Sequence, residues 1–309
     1  MPTDLSVTIG QLQLKNPLIL ASGILGDKPS LLQRIIKAGA AAVTTKSITI
    51  EKREGYSTPI IIATDCGYIN AVGLANPGID KIPDLVNSVK LVKGKVIVSI
   101  AGSTVSEFLK LAEVARNSGA DAIELNLSCP HVKKHGLSIG MDSKLVHKII
   151  QVLNENIEIP IFAKFGISDN YLTSCKAAED AGADAIVLIN TIRAMKIDVW
   201  IKKPVLSNKF GGLSGPAIHP IAVRAVYEAY EKINIPIIGV GGIYNWESAV
   251  ELMLAGASAV QIGSGVGIRG IDIFNEILLG IKKYLMENKV QKITEIIGLA
   301  HEERKLQDL

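Results

Sequence analysis

Four segments of this chain are variants of one pattern: AGAAAVTT (38–45), SGADAIEL (118–125), AGADAIVL (181–188) and AGASAVQI (255–262). Each follows a stretch with helical periodicity, shown by Leu31, Leu32, Ile35 and Ile36 before the first and by Leu109, Leu111, Ala112 and Ala115 before the second. The glycine suits the residue just past a helix end, where φ turns positive. The apolar run behind it reads as a parallel strand buried on both faces. A second set interleaves with the first: NPLIL (16–20), GKVIVSI (94–100), IPIFAKF (159–165) and IPIIGV (235–240). Merged in order, the two sets make eight strands. Helical patterns fill most of the gaps, at 105–117, 144–154, 171–181, 220–233, 245–254 and 271–286. Eight β-then-α units predict an α/β fold of the (β/α)8, or TIM, barrel type. A doubly wound sheet would not normally show this even–odd alternation through eight strands.

The 309 residues suffice for one such barrel, so residues 1–309 read as one domain. A net charge of +3 argues against a broad nucleic-acid surface and fits a small anionic ligand held locally. The start, MPTDLSVTIG, lacks the basic and apolar stretches of a secretory signal, and no apolar run approaches a membrane span. A soluble, cytoplasmic protein is expected. Cys66, Cys129 and Cys175 are widely spaced with no C-x-x-C, which excludes a disulfide framework and a self-contained zinc or iron–sulfur centre.

Two gaps exceed what a helix needs, 47–94 after the second strand and 193–214 after the sixth. Long excursions at the C-terminal face of a barrel build or cover active sites. The alternation in LSVTIGQLQLKN (5–16) predicts a hairpin that plugs the barrel bottom.

Catalysis on this fold uses the C-terminal strand ends. Those ends carry Ser22–Gly23, Lys46–Ser47, Ser99, Asn126 with Ser128–Cys129, Lys164, Asn190–Thr191, Gly241–Gly242 and Gly263–Ser264. Any one of them also suits a helix cap or a loop turn; eight facing one mouth make a polar bowl. The glycines of GVGGI (239–243) and IGSG (262–265) fall where this fold binds phosphate, and GGLSG (211–215) adds a third arm.

Lys46 and Lys164 follow apolar strand residues. A snorkelling surface lysine is the bland alternative; at strand ends they suit negative charge, and Lys164 equally suits a Schiff base. Cys129 follows a strand and precedes Pro130. An isolated cysteine is most often a small buried hydrophobe, but this placement suits a proton acceptor. HVKKH (131–135) spaces two histidines as a metal site would, yet without an evident third ligand, and reads as a lid.

Taken together, ELNLSCPH (124–131), INAVGLANPG (69–78), INT (189–191), GGLSGPA (211–217), GVGGI and AGASAVQIG resemble the motifs of class 1 dihydroorotate dehydrogenases, in the same order and spacing from about residue 14 to 267. HGLSIGMD (135–142) and KPVLSNKFGGLSGP (203–216) are closer to the class 1B branch. The resemblance implies a barrel holding FMN that oxidises dihydroorotate to orotate in pyrimidine synthesis. It makes Cys129 the base at C5, with hydride passing from C6 to flavin N5. Asn70, Asn126, Asn190 and Thr191 would hold the pyrimidine, and Lys46 with the N–H groups of Val72, Gly73 and Leu74 its carboxylate. Ala21, Ser22, Gly23, Lys46, Ser47, Ser99, Asn126, Lys164 and Ile189 would line the flavin, and Gly215, Gly241, Gly242, Gly263 and Ser264 its phosphate. It further implies a homodimer and an electron-transfer partner carrying FAD and a [2Fe–2S] cluster, while the chain's own electron acceptor is left open.

Two departures stand out. His131 replaces a family asparagine, and Phe165–Gly166 a common Leu–Ser. SCPH also resembles the pyrimidine-reducing barrel of dihydropyrimidine dehydrogenase, whose substrate lacks the carboxylate; INAVGLANPG, similar to the family's carboxylate clamp, points back to dihydroorotate. A non-redox phosphosugar lyase using Lys164 is the remaining enzymatic alternative, and a barrel that only binds a phosphate ligand the non-enzymatic one.

Overall fold

The computed structural model describes residues 3–127, 139–168 and 170–302. The chain opens with β1 (Val7–Ile9), β2 (Leu12–Leu14), β3 (Leu18–Leu20), α1 (Pro29–Lys37), β4 (Ala42–Thr44), β5 (Ile61–Thr64), β6 (Gly67–Asn70) and α2 (Ile82–Lys90). It continues through β7 (Lys95–Ile100), α3 (Val105–Asn117), β8 (Ala122–Asn126), α4 (Ser143–Asn156), β9 (Ile161–Phe165), α5 (Tyr171–Asp180) and β10 (Ala185–Leu188). Then come β11 (Ile192–Ala194), β12 (Ile197–Asp198), β13 (Lys203–Pro204), β14 (Gly211–Ser214) and α6 (His219–Tyr230). The last elements are β15 (Ile237–Val240), α7 (Trp246–Leu254), β16 (Ala257–Ile262), α8 (Ser264–Arg269) and α9 (Ile273–Glu287).

Strands β3, β4, β7, β8, β9, β10, β15 and β16 close into a parallel barrel in that order, β16 returning to β3. They are the eight strands expected from the repeats. The repeat glycines Gly39, Gly119, Gly182 and Gly256 have φ of 111°, 85°, 93° and 120°, each one residue past the cap of its helix. The aspartates of the two SGADA/AGADA copies explain themselves as well. Asp121 accepts the N–H of Val96 and Asp184 that of Ile161, both at 2.8 Å, so each carboxylate ties its own loop to the start of the neighbouring strand. Helix starts follow the same economy of local signals: Thr104 caps α3, Asp142 caps α4, and Asn245 with Ser248 closes a capping box on α7.

The expected hairpin forms as β1–β2, with Val7, Ile9, Leu12 and Leu14 in the main core. Gly10 at its tip packs on Asp184, just before β10, so the hairpin covers the N-terminal end of the barrel. The two insertions do something the sequence pattern does not disclose: they pair with each other. Strands β5 and β6 of the first and β11 and β14 of the second form one antiparallel sheet, ordered β11-β14-β6-β5. It packs around Ile69, Ala71 and Leu206, a small apolar cluster separate from the barrel core. The barrel's own second helix, α2, lies inside the longer gap, so the true insertion ends near residue 81. Among the described residues, no helix is long and apolar enough to cross a membrane.

Candidate active site at the barrel mouth

A continuous run of hydroxyl and amide groups crosses the C-terminal mouth. Ser47 Oγ lies 3.3 Å from Ser22 Oγ and 2.9 Å from Ser99 Oγ, and it accepts from Asn126 Nδ2 at 3.0 Å. Asn126 Oδ1 in turn accepts from Asn190 Nδ2 at 3.4 Å, and Asn190 Oδ1 from the N–H of Thr191 at 2.8 Å. These side chains stand at the ends of β3, β4, β7, β8 and β10. Buried hydroxyls and amides need partners; here they find each other, which holds five strand ends in mutual register. Thr45 adds a strut, its Oγ1 accepting the N–H of Ser99 at 3.0 Å.

The composite sheet brings its own residues to the same place. Asn70, at the end of β6, donates from Nδ2 to Gly212 O at 3.2 Å. Gly212 must be glycine: a Cβ there would sit 2.0 Å from Thr191 Oγ1. Asn70, Thr191 and Gly212 therefore meet where the two insertions join. Downstream of Asn70 the backbone turns sharply, with positive φ at Gly73 (73°) and Leu74 (56°). A side chain on Gly73 would strike Tyr56, whose N–H donates to Val72 O at 3.1 Å.

Asn76 anchors this turn. Its Oδ1 accepts the N–H groups of Thr49 and Gly78, and its Nδ2 donates to Leu74 O and Thr49 Oγ1, all within 2.8–3.1 Å. That satisfies its full donor and acceptor capacity and fastens the turn to the segment just after Lys46 and Ser47. Asn76 was visible in LANPG only as a residue before a proline; its four bonds come from chain folding.

At the opposite side of the mouth, glycines crowd together. Gly215 (φ 108°) packs on Gly67, and a Cβ on Gly242 (φ 67°) would lie 2.7 Å from both Gly215 O and His219 Cβ. His219 Nδ1 donates to Gly241 O at 2.8 Å, the carbonyl being only an acceptor, and its Nε2 lies 3.1 Å from Glu251 Oε2. His219, not singled out in the sequence, thus clamps the first residue of α6 to the loop after β15. In contrast, Gly23 and Gly263 border empty space. A Cβ on Gly23 meets nothing within 4 Å, and one on Gly263 meets only Ala21 Cβ, at 3.5 Å. Gly263 adopts φ −109° and ψ −100°, a backbone outside the regions open to other residues, and its missing side chain leaves the room beside it open. The first N–H groups of α8, which begins at Ser264, have no partner within that helix. Tyr68 of β6 closes the corner with a hydrogen bond to Gly267 O at 3.3 Å.

Lys164 points into the barrel rather than onto its surface. It is 5% exposed, donates to Gln261 Oε1 at 3.0 Å and lies 3.5 Å from Glu124 Oε1. The snorkelling alternative is thereby removed. Ile189, buried at 2%, lies under the same mouth and donates its N–H to Val240 O. Ser128, Cys129, His131 and His135 lie outside the described residues. Of the other cysteines, Cys66 is exposed in the β5–β6 turn, while Cys175 is buried in α5, where burial pushes its thiol up and leaves it a packing group.

Comparisons with known proteins identify relatives of the chain. A family model described as dihydroorotate dehydrogenase matches residues 4–285. A Pyrococcus furiosus protein named dihydroorotate dehydrogenase B (NAD(+)), catalytic subunit, is 47% identical over 298 residues, covering 96% of this chain and 99% of that one. Proteins of the same name from Thermoplasma volcanium and Methanocaldococcus jannaschii are 45% and 44% identical, each over 96% of this chain and 99% and 98% of theirs.

Proposed function

The chain belongs to the dihydroorotate dehydrogenase family and, as an oxidoreductase of pyrimidine biosynthesis, oxidises dihydroorotate to orotate; from that premise we propose how its own residues carry the reaction. The observation that bears most weight is the serine–asparagine run across the mouth, which presents amide edges on one floor bordered by a glycine-lined corner.

The corner suits FMN. Gly23 and Gly263 leave the space, Gly215, Gly241 and Gly242 bring backbone close, and Ser264 starts a helix whose free N–H groups favour a phosphate. Ala21, Ser22, Ser47, Ser99, Asn126, Lys46, Ile189 and Lys164 line the approach to the ring. When bound, FMN accepts the hydride that leaves C6 of the substrate.

The remaining work falls to the protein. Asn70, Asn126, Asn190 and Thr191 hold the pyrimidine by its amide and carbonyl edges, each asparagine able to donate and accept. Lys46 and the N–H groups of Val72, Gly73 and Leu74 take the carboxylate, in the turn that Asn76 anchors. Cys129 removes the C5 proton as general base. The whole chain acts as one FMN-binding barrel domain.

The relatives' name, catalytic subunit, implies a second, electron-transfer subunit. In our reading that partner carries FAD and a [2Fe–2S] cluster and passes electrons to NAD, and this chain forms a homodimer. The cytoplasm is the expected compartment.

The purified protein should be yellow, and dihydroorotate added without oxygen should bleach it. A yellow protein bleached by dihydrouracil and not by dihydroorotate would replace the substrate with its carboxylate-free analogue. Lys46→Met tests the clamp separately. Loss of one hydrogen bond to a charged group, about 1.5–3 kcal/mol, should raise KM for dihydroorotate by about 10–150-fold. Steady-state kinetics with an unchanged KM would free Lys46 from that role.

A further inference from the structure

Among the described residues Glu124 is the only buried carboxylate, at 0% exposure, and it lies midway along β8, two residues before Asn126. Side chains two apart on a strand share a face, so Glu124 sits one layer beneath the amide floor of the site. It has two neighbours there. Gln261 Nε2 donates to Glu124 Oε2 at 2.6 Å, while Gln261 Oε1 accepts from Lys164 Nζ at 3.0 Å. Glu124 Oε1 accepts no hydrogen bond within the described structure and lies 3.5 Å from the same Nζ.

Stability does not account for this arrangement. A buried ion pair is commonly matched or bettered by apolar residues of similar size, and the neighbours of Glu124 on its own strand, Ile123 and Leu125, are buried residues of that kind. A carboxylate with one oxygen left without a hydrogen bond is the opposite of a group placed for stability. The polarity of the network is also fixed. Lysine only donates, an ionised carboxylate only accepts, and the amide between them can satisfy both in one orientation alone. An amide at position 124 would break that order. Whichever way it turned, an N–H2 group would face either Gln261 Nε2 or Lys164 Nζ.

We propose that Glu124, through Gln261, is a positioning residue for Lys164: it holds the ammonium aimed from below at the flavin pocket, so that the carboxylate sets how strongly the pocket favours negative charge on the ring. This rests on the FMN reading above. Glu124 itself is sealed from the mouth and touches no substrate.

The test uses the holoprotein and sulfite, an anion that adds to oxidised flavin and binds more tightly the more positive the flavin's surroundings. A unit charge within a few ångströms in a partly screened interior is worth at least about tenfold in such an equilibrium. Lys164→Met should therefore keep its FMN but bind sulfite about tenfold or more weakly, with a lower flavin midpoint potential. Glu124→Gln removes a negative charge, which by itself would tighten sulfite binding; weaker binding is expected there too, because the lysine loses the partner that aims it. The double variant should bind sulfite no more weakly than Lys164→Met alone, because Glu124 acts only through the lysine. It should also melt higher than Lys164→Met, which strands a buried carboxylate. These two comparisons stand even if Glu124→Gln alone does not accumulate as folded protein. Unchanged or tighter sulfite binding in Glu124→Gln, or losses that multiply in the double variant, would overturn the proposal while leaving the FMN site intact. A wild-type protein that neither retains nor binds FMN would remove the reading beneath it, and the proposal with it.

Discussion

Cys129→Ala is expected to slow reduction of the bound flavin by dihydroorotate by about 10²–10⁴-fold, the range a positioned general base contributes, while FMN content stays at the wild-type level. The chain leaves the described structure at Leu127, which is buried and donates its N–H to Lys164 O at 3.2 Å. It re-enters at Ile139, and Gly140 donates to Leu127 O at 2.8 Å, so both ends of the segment are fixed at the mouth. Two residues of chain reach at most about 7 Å. Cys129 follows Leu127 by two residues in the sequence. Asn126 is also the centre of the amide floor. Of the other two cysteines, Cys175 is buried in a helix and Cys66 lies in an exposed turn. Stopped-flow reduction without oxygen isolates the step from any electron acceptor. A rate within a few-fold of wild type would take the thiol out of the mechanism and move the search for a base to other groups near the mouth.

The barrel was legible because each strand carries its own local signal. Every repeat copy supplies a helix stop, a glycine with positive φ and an apolar run, and the structure uses them in that order at Gly39, Gly119, Gly182 and Gly256. The polar strand ends were legible for the same reason: Ser99 or Asn126 interrupts an otherwise apolar stretch. What did not show was pairing across distance. Nothing local in GYIN or GGLS announces that β6 and β14 will lie side by side, since register between segments about 140 residues apart follows from the barrel bringing them together. Asn76 and His219 escaped notice likewise, because their roles consist of bonds to backbone from other elements. Glu124 and Gln261 are an intermediate case. A glutamate inside IEL and a glutamine inside AVQI break buried runs and are visible as anomalies, but their meeting at 2.6 Å across the barrel is a product of closure. The family model bears out the resemblance to the dihydroorotate dehydrogenases.

Gly242→Val should abolish stable FMN binding with the barrel still folded. Gly242 lies just beyond β15, so the strand ladder does not pass through it. At its φ of 67° a β-branched residue is strained, and its Cβ would fall 2.7 Å from Gly215 O and 3.0 Å from His219 N. Both of these are backbone, which cannot swing aside as a side-chain tip can. Relief requires the loop after β15 and the start of α6 to separate, pulling the His219 clamp from Gly241 O. The phosphate would then lose at least two backbone hydrogen bonds. At about 1.5–3 kcal/mol each for bonds to a charged group, affinity should fall by about 10²–10⁴-fold. Gly119→Ala is the matched control. It too has a positive φ, 85°, but its Cβ would meet nothing within 4 Å and it lies at the far end of a helix from the mouth. It should lower stability by about 1 kcal/mol and leave FMN affinity alone. The flavin-to-protein ratio after gel filtration, with the rise in melting temperature on adding FMN, reads both variants. If Gly242→Val retained full flavin, the phosphate would have to sit elsewhere on the mouth.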